Sequence, residues 1–251
     1  ARKAQFPARQ ILLSLLGEFY GDYISNNLYL LSDRTDISGV QPDDLQSRSL
    51  ADLTRSTLDA FEESIAAEES WDFPLDYFDA VLETYPTSDY LFPSLGDFLT
   101  FRAIDYFRNE RYYLTEPTYA FLPNQPELFA DAADFTAFAF PARDSTSYKL
   151  KTLQLFQRYL GKLISANKHD LVVHTDLMRL SFARNNSTLD DKDELYRDAL
   201  LRLMETYEGL EASAAVGWEL ASYYESFVET YHASVVPEIE SLQQEAHAAL
   251  Q

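Results

Sequence analysis

Large apolar residues recur at steps of three and four along residues 6–31, and this period constrains the fold more than any other feature. The positions are Ile11, Leu12, Leu15, Leu16, Phe19, Tyr20 and Tyr23. Such spacing matches the turn of an α-helix and predicts one long, strongly apolar helix. Gly17 and Gly21 lie within it, and each costs about 1 kcal/mol relative to alanine. We therefore expect another helix to approach closely at these two glycines.

The same periodicity predicts helices along most of the remaining chain. Helices are predicted at 50–67, 75–83, 148–166, 170–184, 190–208, 212–233 and 237–250. Two further helices are predicted to start after Ser94 and at Pro126, and Thr188 is the predicted N-cap of the helix at 190–208. Only 7 glycines occur in 251 residues, fewer than the turns of a β-sandwich would need. The sequence therefore predicts an all-α fold of antiparallel helical hairpins, stacked as a tetratricopeptide-like or irregular α-solenoid.

The least regular part of the chain predicts a division into two halves. Residues 115–147 carry four prolines and many phenylalanines, which is typical of an irregular segment that packs on the body of a protein. We expect an N-terminal helical half at 1–114, this proline-containing joint at 115–147, and a C-terminal repeat-like half at 148–251. The three parts are expected to form one continuous globular unit.

The segment AAVGWELASYYES supports a specific kind of repeat. Trp218, Leu220, Ala221 and Tyr224 fall where the first helix of a tetratricopeptide repeat has an aromatic residue, leucine, a small residue and tyrosine. In that arrangement the alanine allows the paired helix to approach, and Tyr224 fills the groove beside it. We therefore predict structural roles for Trp218 and Tyr224.

Charge and composition exclude several classes of partner. The net charge of −21 disfavours nucleic acid and anionic lipid surfaces as partners, since both need a basic face.

The absence of cysteine excludes disulfides, thiol nucleophiles and thioesters in this chain. No apolar run approaches the roughly 20 residues of a membrane span, so direct membrane insertion is not expected. The chain opens on Ala1-Arg2-Lys3 without an initiator methionine, so we expect a piece of a larger protein.

Catalytic, cofactor and metal sites are not predicted. His169 and His174 lie five residues apart, a spacing that places them on different sides of a helix, and His232 and His247 belong to no ligand motif. Paired carboxylates such as those at 62–63 and 190–191 fall on polar faces or in loops, which favours solvated charge over acid–base chemistry. Aromatic platforms for glycans remain an alternative, but 17 Phe against 2 Trp favour packing between helices.

The stretch PSLGDFLTFRAIDYF, residues 93–107, combines a helix start with an arginine among apolar residues. Ser94 and Asp97 have the spacing of a capping box. Arg102 shares a helix face with apolar side chains, where an unpaired charge would be costly. We predict that Arg102 is a buried structural clamp, held by a carboxylate or by helix C-terminal carbonyls. Asp97 and Asp105 are the other structural candidates in this stretch.

Residues 89–117, DYLFPSLGDFLTFRAIDYFRNERYYLTEP, carry a family resemblance. They resemble a helical, tetratricopeptide-like region near the N-terminus of large bacterial alpha-2-macroglobulin-like envelope proteins. The segments ARDSTSYKLKTLQLFQRYL, DLMRLSFARN and KDELYRDALLRLMETY are similar to the same region, so that the resemblance covers about residues 50–230.

The resemblance implies a helical module from a protein of the periplasm or cell surface. The family traps proteases through a bait region and, in some members, a thioester, neither of which can be placed in this chain. The leading hypothesis is therefore a non-catalytic scaffold without cofactors, which binds a protein partner or other domains of the same polypeptide. The alternative is a glycan-binding helical lipoprotein module associated with outer-membrane uptake.

Overall fold

The structure, a computed structural model, describes residues 3–32, 44–83, 91–109, 121–141 and 147–230, and these residues form an all-α fold. The α-helices are α1 (Ala8–Ser32), α2 (Leu50–Ser64), α3 (Leu95–Arg108), α4 (Ala132–Ala137), α5 (Tyr148–Ser165), α6 (His169–Asn186), α7 (Lys192–Thr206) and α8 (Ser213–Thr230). Short 3₁₀ helices cover Leu45–Ser47, Glu68–Trp71, Leu75–Phe78 and Pro126–Phe129. The described ranges contain no β-strand, which confirms the predicted all-α class.

Three predicted elements differ from the observed ones. The helix predicted at 75–83 is the 3₁₀ turn Leu75–Phe78. The helix predicted from Pro126 is a 3₁₀ turn, which ends where Ala130 becomes extended; Asp131 then caps α4 by accepting a hydrogen bond from the Asp134 backbone N–H at 2.9 Å. The helix predicted at 237–250 lies outside the described residues.

The start of α7 also differs from the prediction that Thr188 is its N-cap. The N-cap is Asp191, which makes no side-chain capping hydrogen bond. The backbone N–H of Thr188 donates instead to the Pro123 carbonyl at 3.0 Å. Thr188 therefore connects to the segment before α4, a contact between residues far apart in sequence.

The chain divides into two compact units. The first comprises residues 1–120 and 143–155, and the second comprises 121–142 and 156–251. Residues 121–141, part of the predicted joint, belong to the second unit.

In the first unit, α1 packs against α2 and α3. A β-carbon at Gly17 would lie 2.7 Å from Cδ2 of Phe61, and one at Gly21 would overlap the Tyr106 hydroxyl. Both glycines are therefore sites of close helix approach, which confirms the prediction. The buried apolar residues around this contact include Leu13, Ile24, Leu53, Phe61, Leu95, Leu99 and Phe107.

In the second unit, α6, α7 and α8 contact one another, and the turn Pro126–Phe129 packs against α6 and α7. Their buried faces have helical spacing, as in Val172, Leu180 and Ala183 of α6. The rest of this core includes Leu128, Phe129, Phe135, Phe156, Leu160, Tyr196, Leu200, Val216 and Leu220.

Candidate functional site

The start of α3 is held by the predicted capping box. The Asp97 backbone N–H donates to Ser94 Oγ at 3.2 Å, and the Ser94 hydroxyl donates to Asp97 Oδ2 at 2.7 Å. Asp97 is fully buried. Its carboxylate therefore has a structural role at the first turn, where the unpaired N–H groups of a helix favour negative charge. This turn fixes the register of α3 and with it the position of Arg102.

Arg102 has the carboxylate partner that the sequence predicts. Its Nη2 donates to Glu18 Oε2 at 2.7 Å, and its Nε donates to Ser14 Oγ at 3.0 Å. Both partners lie on α1, so Arg102 ties α3 to α1. The burial prediction needs correction, because the Arg102 side chain is 29% exposed and that of Glu18 is 35% exposed. The pair lies at the edge of the helix contact, where the long arginine stem can bring its charged end to water.

A cleft of about 90 Å³ opens beside this ion pair. Its lining residues are Glu18, Phe61, Phe101, Arg102, Asp105 and Tyr106. The cleft thus combines two carboxylates and one guanidinium with three aromatic rings. This composition suits a charged or amphipathic group better than a purely apolar one.

Asp105 contributes one of the two carboxylates and makes local contacts within α3. Its Oδ1 accepts hydrogen bonds from Arg108 Nη2 at 2.8 Å and from Arg108 Nε at 3.1 Å. The side-chain amide of Asn109 also donates to Oδ1, at 3.2 Å. All three hydrogen bonds converge on the same oxygen atom.

Three apolar residues are exposed on α1, the helix that also carries Glu18. Leu12, Leu15 and Phe19 are 41%, 48% and 54% exposed. They follow one another at steps of three and four, so they lie along one helix face. We call these three residues the α1 stripe. Periodicity in the sequence predicted a strongly apolar helix here but did not distinguish its exposed apolar residues from its buried ones.

The two structural candidates in α8 have different environments. Tyr224 is buried, but Trp218 is 66% exposed, so the predicted packing role of Trp218 is wrong. The buried face of α8 contains Val216, Leu220 and Tyr223, at steps of three and four. Trp218 lies two residues from Val216, about 200° away around the helix, and therefore points to solvent.

A buried arginine that the sequence analysis missed organises the second unit. Arg179 is fully buried and donates to Asp176 Oδ1 at 2.6 Å, to the Leu128 carbonyl at 2.6 Å and to the Ala130 carbonyl at 2.9 Å. Its guanidinium lies over the Phe135 ring at 4.5 Å. The arginine therefore attaches the segment before α4 to α6. The sequence does contain an indication of this ion pair: Asp176 lies three residues before Arg179 on an otherwise apolar helix face.

A second arginine joins three helices of this unit. Arg184 Nε donates to Asp193 Oδ1 at 2.7 Å, and its guanidinium lies about 5 Å from the Tyr196 and Tyr223 rings. The Tyr196 hydroxyl donates to Glu219 Oε1 at 2.8 Å. Burial, and then this hydrogen bond to a carboxylate, raise the pKa of Tyr196, which keeps the phenol protonated. Tyr196 therefore has a packing role, and its phenol is not a base near neutral pH.

Two of the four histidines, His169 and His174, lie on α6. Burial lowers the pKa of His174, and His169 lies beside the Tyr207 ring. His232 and His247 are outside the described residues. Among the residues that the structure describes, no group of three or more His, Asp or Glu side chains could hold a metal ion.

We expect Arg102→Met to destabilise the first unit by only about 1 kcal/mol, because half-exposed ion pairs contribute little. Urea unfolding followed by Trp71 fluorescence, in a Trp218→Phe background, would measure this change. A loss above about 3 kcal/mol, the range of buried pairs, would contradict the edge position described here.

Comparison of the chain with protein-family models, with curated proteins and with solved structures finds no match. Within the described residues, none of the helices combines the length and the apolar character needed to cross a bilayer.

Proposed function

We propose that the chain is a non-catalytic helical scaffold that binds protein, and that it belongs to a larger bacterial cell-envelope protein of the alpha-2-macroglobulin-like kind. Protease trapping would reside elsewhere in that protein, and the module would lie in the periplasm or at the cell surface. The resemblance of residues 89–117 supports this origin. The scaffold would bind a helix on the α1 stripe, and this helix would belong to a partner protein or to other domains of the same polypeptide.

The α1 stripe is the observation that carries the binding role. Contiguous exposed apolar side chains are a recognised mark of protein interaction surfaces. Leu12, Leu15 and Phe19 have the spacing that receives the apolar face of another helix. The stripe is notable in a chain with a net charge of −21, whose exposed residues are mostly polar.

The proposed architecture is a stack of antiparallel hairpins, tetratricopeptide-like or irregular. The contacts among α6, α7 and α8 support it, because each helix packs on the next along the chain. Leu220, Ala221 and Tyr224 are buried as such a repeat requires. Trp218 is exposed where a regular tetratricopeptide repeat would pack an aromatic residue, which favours an irregular repeat.

Glycan binding, as a module associated with outer-membrane uptake, remains the second candidate, and Tyr77 favours it. Tyr77 is 66% exposed, and its ring contacts those of Phe73 and Phe78. Most of the other described aromatic residues are buried or half-buried, which favours the scaffold. A glycan array in which binding is lost in Tyr77→Ala would support this candidate over the scaffold.

The scaffold proposal is tested by placing a photo-crosslinking residue at position 15 and, as a control, at position 81. Val81 is 76% exposed in the same unit but lies outside the stripe. With envelope extract, we expect position 15 to yield discrete protein adducts that do not form when the same labelled protein also carries Phe19→Ser. Identical adducts from both positions would overturn the docking role. A full reading frame without β-rich domains after residue 251 would overturn the envelope-protein origin.

A further inference from the structure

We propose that the helix bound by the α1 stripe is basic, and that one of its lysine or arginine side chains enters the cleft between Glu18 and Asp105. This inference rests on the proposed function and names the chemistry of the partner. It explains why an apolar face and a charged cleft occur side by side on one helical unit.

The α1 stripe and the cleft share a helix. Glu18 lines the cleft and lies three residues after Leu15 and next to Phe19. Residues three apart are neighbours on a helix surface, so the Glu18 carboxylate borders the stripe. A helix that packs on the stripe would therefore bring the side chains at its own edge to the mouth of the cleft.

Both carboxylates of the cleft have capacity for a further donor. Glu18 uses Oε2 for Arg102, and Asp105 uses Oδ1 for Arg108 and Asn109. No described residue donates a hydrogen bond to Glu18 Oε1 or to Asp105 Oδ2. An ionised carboxylate can accept several hydrogen bonds, and those from cationic groups are the strongest.

The aromatic lining of the cleft also favours a cation. Phe61, Phe101 and Tyr106 form its walls, and the faces of aromatic rings attract ammonium and guanidinium groups. The cleft volume of about 90 Å³ accepts the end of one long side chain.

The net charge of the whole chain also favours a basic partner. At a net charge of −21, long-range attraction accelerates the association of basic partners and suppresses acidic ones. A second copy of this chain is acidic and is therefore a poor occupant.

The test uses designed amphipathic peptides that share one leucine face. One carries lysines along the edges of that face, the second carries glutamines there, and the third is a scrambled form of the lysine peptide. Fluorescence anisotropy would give the affinity of each peptide, and amide chemical shifts along α1 would locate it. We expect the lysine peptide to bind about tenfold more tightly than the glutamine peptide.

Two protein variants separate the cleft from general acidity. In Asp105→Asn we expect the preference for lysine to fall to about threefold, because one carboxylate is lost. Asp198→Asn is the matched control: it removes the same charge and a similar exposed pair with Arg197, but in the second unit, and should keep the full preference. Circular dichroism would verify that both variants are folded.

The outcomes distinguish the two proposals. Equal binding of the lysine and glutamine peptides, both lost in Phe19→Ser, would overturn the basic partner and leave the docking face intact. Equal binding of the lysine peptide and its scrambled form, or an equal effect of the two aspartate variants, would also overturn the basic partner. Failure of every peptide to shift α1 would count against the proposed function itself.

Discussion

Arg179→Met should destabilise the second unit by about 3–5 kcal/mol, the usual cost of removing one partner from a buried ion pair. The substitution leaves the Asp176 carboxylate buried without its cation. It also removes the donors to the Leu128 and Ala130 carbonyls, which hold the segment before α4. Hydrogen exchange of amides in α6 and in residues 126–137 would measure the loss where it occurs.

The effect of Arg179→Met should depend on pH. Burial raises the pKa of the Asp176 carboxyl, and Arg179 opposes that rise. Without Arg179 the folded variant takes up the proton at a higher pH than its unfolded chain does. The destabilisation is therefore smallest in acid, where the carboxyl is protonated with or without Arg179. It grows as the pH rises through the folded-state pKa of Asp176, which lies above the value of about 3.9 for an unfolded aspartate.

Arg197→Met provides the matched control for this prediction. Arg197 also pairs with an aspartate in the second unit, at 2.7 Å from Asp198, but both side chains are more than a third exposed. Its loss should change the free energy of unfolding by less than about 0.5 kcal/mol. Equal effects of the two substitutions would contradict the role assigned to Arg179.

Gly21→Ala should destabilise the first unit by about 1–3 kcal/mol, although alanine is the better helix former. The new β-carbon would overlap the Tyr106 hydroxyl and lie 2.8 Å from Cε2 of the same ring. Tyr106 has little room to move, because its ring packs at 4.7 Å from that of Phe61 and at 5.1 Å from that of Phe107. Urea unfolding followed by Trp71 fluorescence, in the Trp218→Phe background, would detect the loss.

Gly161→Ala separates steric overlap from helix propensity. A β-carbon at Gly161, within α5, would meet no atom within 4 Å. This substitution should therefore stabilise the protein by about 0.5–1 kcal/mol. If Gly21→Ala were equally stabilising, α1 and α3 would be farther apart than described.

The positions of most helices could be predicted because helix formation depends on the spacing of apolar residues that are close together in sequence. The apolar period of α1, the spacing of Gly17 and Gly21 within it and the Ser94–Asp97 cap of α3 each depend on residues within a few turns of one another. The segment around Pro126 was harder, because its shape depends on carbonyl contacts with Arg179, more than 40 residues away in sequence.

The candidate site was predictable only in part. A carboxylate partner for Arg102 follows from the cost of an unpaired charge near a core, but nothing local shows that the partner is Glu18. The α1 stripe could not be identified either, since Leu12, Leu15 and Phe19 have the same spacing as the buried residues of α1.

By itself the sequence determined the all-α class, the places where most helices begin, and the glycines at which they meet. Tertiary structure decided which arginine is buried and which lies at an edge, and which apolar residues stay exposed. The physical reason is that helix formation depends on neighbours along the chain, whereas burial depends on what other helices bring to each face. Arg102 and Arg179 look alike in sequence, each within an apolar helix. Only the packing around them places one at the mouth of a cleft and the other in the core.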